Sequence, residues 1–208
     1  MQNGRVPTGL RAVVFDVGET LVDESRIWWR TAELAGVPPF TLMALLGAMI
    51  ERGDDHREVW RILGIPHPPV APPIESVDLY PDAVATLEAV RAHGLLVGIA
   101  GNQPAGVEQQ LRAAGCAPDF IASSTSWGVA KPSPEFFDRV VAASGCRADE
   151  VLYVGDRLDN DVTPARAAGM RTAFLRRGPW GHVHAERAEA GRADLRLDSL
   201  DDLVRALP

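Results

Sequence analysis

Apolar positions along the 208-residue chain form two kinds of pattern, short continuous runs and segments with helical spacing. The run Ala12–Phe15 predicts a short buried strand, because it leads directly into a glycine-containing turn. After residue 78, the runs LLVGIA, DFIAS, VLYVG and RTAFL alternate with helical patterns, and the tail predicts an edge strand and a closing helix. This alternation predicts an α/β fold, a doubly wound parallel sheet with helices on both faces.

Residues 23–78 differ from the rest, because apolar residues recur there at helical spacing without a strand-like run. The segments IWWRTAELAG, FTLMALLGAMIERG and HREVWRILG each predict a helix. The proline-rich IPHPPVAPPIESVD predicts an extended connection back to the sheet. We therefore predict a small helical cap domain over residues 23–78 and an α/β core domain formed by residues 1–22 and 79–208.

Composition narrows the classes of function. A formal net charge of -7 argues against a nucleic-acid binder, which needs a basic face. The longest strongly apolar stretch, residues 40–50, is about half of the ~20 residues that a membrane span needs. The first residues lack a secretory signal, and Cys116 and Cys146 form no disulfide or metal framework. We expect a cytoplasmic protein, monomer or homodimer, with no nucleic-acid or membrane partner.

Three aspartates stand where predicted strands end. Asp16 follows the first strand, and Asp156 follows VLYVG with Asp161 five residues further on. Because ligands of open parallel sheets bind outside the carboxyl ends of the strands, we expect these carboxylates to converge. Each aspartate alone is also typical of a turn or a helix cap. Together they repel one another unless a cation intervenes, and their hard oxygen ligands indicate magnesium.

The same edge of the sheet carries a positive charge. Lys131 precedes a helix predicted to begin near Ser133, and it is the only lysine in a chain with 20 arginines. Its compact ammonium can hold a phosphate beside a carboxylate nucleophile and screen their repulsion. Gly101 and Asn102 open a loop that reaches Gly106 just before a helix, where backbone N–H groups can bind an anion. We predict that Lys131, Gly101 and Asn102 bind substrate.

Four segments resemble the motifs of the haloacid dehalogenase superfamily, which contains many phosphatases. FDVGETL resembles the first motif, GNQ falls where the second lies, and AKPSPEFF and VGDRLDNDVTPARAAGM resemble the third and fourth. The resemblance spans nearly the whole chain, and the helical block falls where the family inserts a cap. It implies a Rossmann-like core, a Mg²⁺ cofactor and a small phosphorylated metabolite as substrate.

The resemblance also implies a role for individual residues. Asp16 would attack phosphorus and form an aspartyl-phosphate that water then hydrolyses. Magnesium would be held by Asp16, the backbone carbonyl of Gly18 and Asp156. Asp161 would support the metal or orient Asp156, and Lys131 would bind both the phosphate and Asp16.

Two positions depart from the family's pattern. Its phosphatases carry an aspartate two residues after the nucleophile, which protonates the leaving group and activates water, but here that position is Gly18. Glu19 is the nearest catalytic candidate for this role, at a place where the family usually has glycine. The family usually has Ser or Thr where this chain has Gly101, so backbone donors and Asn102 remain for phosphate.

Three functions stay open on these grounds. The first is a magnesium-dependent phosphatase, and the second is a catalytically weak relative that binds a phosphorylated ligand or a protein partner. The third is a metal-free dehalogenase, since family dehalogenases also lack the second aspartate, but the acids of GDRLDND favour a cation. Phosphonate hydrolases of the family use a lysine of the cap. That chemistry is excluded because Lys131, the only lysine, lies outside the predicted cap.

Other suggestive side chains are assigned structural roles. His182, His184 and Glu186 could form a metal cluster on a strand, but we predict a surface loop. We expect three tryptophans to pack the cap, namely Trp28, Trp29 and Trp60. We expect four arginines to form solvated helix faces, namely Arg26, Arg30, Arg52 and Arg57.

Overall fold

The computed structural model describes residues 6–66 and 72–207. Six parallel strands form one sheet in the order β3-β2-β1-β4-β5-β6. The strands are β1 (Ala12–Phe15), β2 (Leu96–Gly101), β3 (Phe120–Ser123), β4 (Val151–Gly155), β5 (Arg171–Leu175) and β6 (Leu195–Leu197). The predicted doubly wound parallel sheet is confirmed, and β1 lies near its centre.

Helices connect these strands. They are α1 (Ser25–Leu34), α2 (Pro39–Arg52), α3 (Val59–Leu63), α4 (Ala83–Ala92), α5 (Val107–Ala113), α6 (Ser124–Trp127), α7 (Pro134–Ser144), α8 (Thr163–Ala167), α9 (Gly178–Ala185) and α10 (Leu200–Ala206). The sequence pattern predicts each of these except α6 and α9. A π-helical turn, Leu158–Val162, leads into α8.

Side chains of β1 alternate between the two faces of the sheet. Val13 and Phe15 pack in one hydrophobic cluster with residues of α4, α5 and α10, whereas Ala12 and Val14 pack in another with residues of α7 and α8. Because both faces of the sheet are covered, the sequence of this strand is a continuous apolar run rather than an alternation of apolar and polar residues. The two layers of core hold β1 rigidly, which fixes the residue that follows it.

Helices α1, α2 and α3 share a hydrophobic cluster of their own, formed by Ala32, Leu42, Leu46, Met49, Val59 and Trp60. Trp28 packs against this cluster, so the predicted packing is confirmed for Trp28 and Trp60. It is wrong for Trp29, which is half exposed and donates its indole N–H to Glu33 Oε1 at 3.1 Å. Among the described residues, no single helix is long and apolar enough to span a membrane; α1 and α2 qualify only together, bent by 118°.

The arginines of this helical segment fall into two groups. Arg30, Arg52 and Arg57 form exposed ion pairs with nearby acids, as predicted for solvated helix faces. Arg26 instead donates from Nε to the buried Asp78 at 2.6 Å, in the turn Ser76–Asp78. This pair joins the beginning of the helical segment to its end. Residues 67–71 of the predicted proline-rich connection lie outside the described residues.

The surface loop predicted around His184 is wrong. His182 and His184 belong to α9, whose Pro179 occupies the first turn, where proline is compatible with a helix. His184 is buried, accepts a hydrogen bond at Nδ1 from Leu158 N at 3.0 Å, and has its pKa lowered to about 4 by that burial. It therefore supports the turn that leads into α8.

Candidate active site

Asp16 is held at the carboxyl end of β1. Its N–H donates to the Val154 carbonyl at 2.9 Å, which extends the pairing of β1 with β4 by one residue. Gly101, at the end of the neighbouring strand β2, lies so close that an added Cβ would approach Asp16 Oδ1 to 2.5 Å. A side chain at this position would therefore require the Asp16 carboxylate to shift.

Lys131 lies between two of the predicted carboxylates. Its Nζ is 2.7 Å from Asp16 Oδ1 and 2.6 Å from Asp161 Oδ1, and its side chain is almost completely buried. Burial alone lowers the pKa of this ammonium, but Asp16 and then Asp161 outweigh it and raise the pKa well above its usual range. The folded protein therefore favours the charged form of Lys131 beside Asp16.

Asp156 completes a cluster of three buried carboxylates. One oxygen atom from each of Asp16, Asp156 and Asp161 lies within 4.8 Å of the others. Asp156 Oδ2 is buried without a hydrogen-bond partner among the described residues. Burial, followed by the charges of Asp161 and Asp16, raises the pKa of Asp156 well above its usual range. The cluster thus contains three acids and one ammonium, and the raised pKa of Asp156 reflects the proximity of the other two carboxylates.

Asp161 is positioned by the π-helical turn. The Arg157 N–H donates to Asp161 Oδ2 at 3.0 Å, so the turn directs this carboxylate back toward Lys131. Burial raises the pKa of Asp161 to about 6; the Lys131 ammonium opposes this shift and the Asp16 charge adds to it. Wide helical turns of this kind occur often at functional sites.

The Asn102 side chain contacts the backbone of Lys131. Its Oδ1 accepts from Lys131 N at 2.8 Å, and its Nδ2 donates to Lys131 O at 2.9 Å. The oxygen and the nitrogen of this side-chain amide thus both fix the loop that carries the lysine. Asn102 remains a predicted substrate-binding residue, but the geometry also gives it a positioning role that sequence reasoning missed.

Glu19 is a buried neighbour of the carboxylate cluster, and hydrogen bonds hold its side chain in place. Its backbone φ of 52° is in the left-handed region, which explains why the family usually has glycine here. Its Oε2 accepts from the Tyr80 hydroxyl at 2.6 Å, and its Oε1 accepts from Glu24 N at 3.2 Å. Burial raises the pKa of Glu19, while the Tyr80 hydrogen bond lowers it.

A carboxylate that sequence reasoning missed lies against Gly18. A Cβ added at Gly18 would meet Glu24 Oε1 at 2.5 Å and Cδ at 2.9 Å. The other oxygen, Oε2, accepts from the indole N–H of Trp28 at 3.1 Å. Burial, then the Glu19 charge, raises the pKa of Glu24 to about 7, and the charge of Asp16 contributes.

The structure thus gathers Asp16, Lys131, Asp156 and Asp161 at one point beyond the carboxyl ends of β1 and β4. Buried ionisable groups with shifted pKa values at such an edge are typical of active sites. The fold and this cluster together define a Rossmann-like α/β enzyme.

Comparison with known proteins identifies the family. A profile of haloacid dehalogenase-like hydrolases matches residues 10–169. Phosphoglycolate phosphatase of Cereibacter sphaeroides is 30% identical over 200 residues, which cover 92% of this chain and 89% of that protein. The chain belongs to the haloacid dehalogenase-like hydrolase family, as its motifs indicate.

Other relatives match over part of their length. Glyceraldehyde 3-phosphate phosphatase of Methanocaldococcus jannaschii is 31% identical over 128 residues, 60% of this chain and 54% of that protein. The chain therefore spans about half the length of such relatives. Among solved structures, an L-2-haloacid dehalogenase superposes with a TM-score of 0.71 at 21% identity, covering 95% of this chain and 98% of that one. This last similarity shows the fold alone.

Proposed function

We propose that the protein is a magnesium-dependent hydrolase of small phosphate monoesters, with Asp16 as the nucleophile that forms an aspartyl-phosphate. The observation that carries this proposal is the buried cluster in which Lys131 contacts Asp16 and Asp161 while Asp156 Oδ2 has no partner among the described residues. The relatives that are named as phosphatases support the reaction class.

The donor set of this cluster fits Mg²⁺. Three carboxylates place oxygen atoms within 4.8 Å of one another, and Asp156 Oδ2 has no hydrogen-bond partner in the part of the chain that the structure describes. Such carboxylate oxygens are the hard ligands that Mg²⁺ prefers. Asp16, Asp156 and the Gly18 carbonyl would hold the ion, and Asp161 would support it through Lys131. When bound, the metal would neutralise charge on the transferring phosphoryl group.

The protein's own side chains supply nucleophile and charge. An Asp16 oxygen attacks phosphorus, and the Lys131 ammonium, 2.7 Å from Asp16 Oδ1, stabilises the negative charge of the phosphoryl oxygens. Asn102 fixes the Lys131 backbone, and the N–H groups after Gly101 are available to the phosphate.

Residues 23–78 are proposed to act as a cap domain that closes over this site. His56 lies edge-on to Trp28 with ring centroids 6.5 Å apart, and edge-on to Trp180 of α9 with centroids 5.0 Å apart. The Arg157 guanidinium lies 4.7 Å from the Trp180 ring centroid. These contacts join the helical segment to the π-helical turn that positions Asp161, so movement of the cap would be transmitted to the site.

Hydrolysis of a panel of phosphate esters, with Mg²⁺ and with EDTA, tests the proposal. We expect Mg²⁺-dependent release of phosphate by the wild type and loss of turnover in Asp16→Asn. A wild-type rate no higher than that of Asp16→Asn across the panel would overturn the phosphatase. Halide release from haloacids without metal would identify a dehalogenase instead, and phosphate-analogue binding without turnover would identify a binding protein.

A further inference from the structure

Glu24 lies where the side chain that is missing at Gly18 would be. The Cβ direction at residue 18 is where a side chain two residues after the nucleophile would begin, and Glu24 Oε1 lies 2.5 Å from that point. Glu24 thus fills the space that an aspartate at position 18 would use. This carboxylate belongs to a residue six positions later in the chain.

The loop between β1 and α1 produces this approach. Leu21 N and Val22 N both donate to the Val17 carbonyl, at 2.9 and 3.0 Å, so the chain folds back directly after Asp16. Val22 forms an isolated bridge with Gly18. This reversal returns the chain past Gly18 and carries Glu24 to the position of the absent side chain.

One oxygen of Glu24 is fixed and the other is free to react. Oε2 accepts from the Trp28 indole at 3.1 Å, which orients the carboxyl plane. Within the described residues, Oε1 receives no hydrogen bond, and it is the oxygen that faces Gly18. A proton donor needs this combination of an anchored group and an open oxygen.

Glu19 is engaged differently. Its two carboxylate oxygens accept hydrogen bonds from the Tyr80 hydroxyl and from the Glu24 backbone N–H. Its Cγ lies against Gly178, where an added Cβ would approach it to 2.5 Å. Glu19 therefore packs between the loop and α9 and helps to fix the backbone of Glu24.

We propose that Glu24 is the general acid and base of the reaction, replacing from the start of α1 the aspartate that Gly18 lacks. This inference rests on the proposed phosphatase function. Placed on the Gly18 side of Asp16, the Glu24 carboxyl reaches the ester oxygen that leaves phosphorus. The absence of a side chain at Gly18 is then a requirement, because a side chain there would displace Glu24.

The proton balance has two steps. Asp16 Oδ bonds to phosphorus while the bond from phosphorus to the ester oxygen breaks, and that oxygen takes the bonding electrons and the Glu24 proton to leave as an alcohol. A water molecule then bonds to phosphorus and gives a proton to the Glu24 carboxylate. The bond between phosphorus and Asp16 breaks, which returns the Asp16 carboxylate, inorganic phosphate and protonated Glu24.

The test compares leaving groups in single-turnover and steady-state kinetics with Mg²⁺ present. For Glu24→Gln we expect turnover of an alkyl phosphate to fall by about 10²- to 10⁴-fold, the range typical of lost acid–base catalysis. The leaving group of 4-nitrophenyl phosphate is nitrophenolate, which departs without a proton. With this ester the same variant should rapidly release about one equivalent of nitrophenolate and then stall as aspartyl-phosphate. A purely structural defect would slow both esters equally.

The chain provides a matched control and a rescue. Glu33, on the same helix, accepts from the Trp29 indole at 3.1 Å as Glu24 does from Trp28, but it is exposed on the helix surface. Glu33→Gln should therefore keep the wild-type rates. The double variant Gly18→Asp with Glu24→Ala returns a carboxyl to position 18 and should restore alkyl phosphate turnover at least tenfold over Glu24→Ala alone.

Two results would overturn the role of Glu24 while leaving the phosphatase intact. One is alkyl phosphate turnover by Glu24→Gln within threefold of the wild type. The other is a selective loss on alkyl phosphates in Glu19→Gln but not in Glu24→Gln. A wild type that hydrolyses neither ester would instead overturn the proposed function and this inference with it.

Discussion

Replacing Asp156 by asparagine should stabilise the metal-free protein. Asp156 Oδ2 is buried without a partner among the described residues, and its carboxylate lies within 4.8 Å of those of Asp16 and Asp161. Two like charges at that separation repel by about 3.5 kcal/mol at an effective dielectric of 20, and Lys131 offsets part of this. We expect Asp156→Asn to raise the free energy of unfolding by about 1–3 kcal/mol at pH 7 in EDTA.

The sign of this effect follows from the pKa. The pKa of Asp156 is raised in the folded protein, so the unfolded chain ionises first, and stability is lost as the pH rises above the ordinary value of 3.8. The advantage of Asp156→Asn should therefore be absent near pH 3.5 and present at pH 7. Urea denaturation at the two pH values, followed by circular dichroism, measures it.

Magnesium should reverse the order of stability. At a concentration of one hundred times its dissociation constant, Mg²⁺ would stabilise the wild type by about 2.7 kcal/mol, and Asp156→Asn should lose most of this gain. Asp159→Asn is the matched control, because Asp159 lies three residues further on, in the π-helical turn, but its side chain is more than half exposed and pairs with Arg157. A variant at Asp156 that is less stable than the wild type in EDTA, or that gains equally from Mg²⁺, would refute the reasoning.

Three further predictions concern stability. Lys131→Met should lower the free energy of unfolding in EDTA by about 3–5 kcal/mol, because it leaves buried carboxylates uncompensated; a loss under 1 kcal/mol in urea denaturation would contradict this. Asn102→Ala should cost about 1–3 kcal/mol through the two lost hydrogen bonds to the Lys131 backbone, measured in the same way. Between pH 7 and pH 5 the free energy of unfolding of the wild type should fall by about 2 kcal/mol more than that of His184→Gln. The reason is that His184, whose pKa is lowered to about 4 in the folded protein, takes up a proton only on unfolding. Parallel pH profiles of the two proteins would exclude this.

The chemistry at the strand ends could be predicted because it follows from chain order. In a parallel sheet, the residues after each strand lie at one edge, so chain order alone predicts that Asp16 and Asp156 meet. Lys131 stood out because it is the only lysine. Its bridge between Asp16 and Asp161 depends on the π-helical turn, which no hydrophobic period indicates.

The contact of Glu24 with Gly18 could not be predicted in this way. It depends on hydrogen bonds that reverse the chain between Val17 and Val22, and neither the helix nor the strand period describes such a reversal. Helix α9 was missed for a related reason, since its glycines and proline are typical of a loop while its stability comes from burying Trp180 and His184.

Because Lys131 carries the only side-chain amine of the chain, the protein contains a natural reporter of its own interior. An amine-reactive reagent finds no competing lysine on the surface, and the buried Lys131 ammonium reacts only when the site opens and the amine loses its proton. The rate of labelling at this position, read by mass spectrometry, therefore measures how often the site is exposed to solvent.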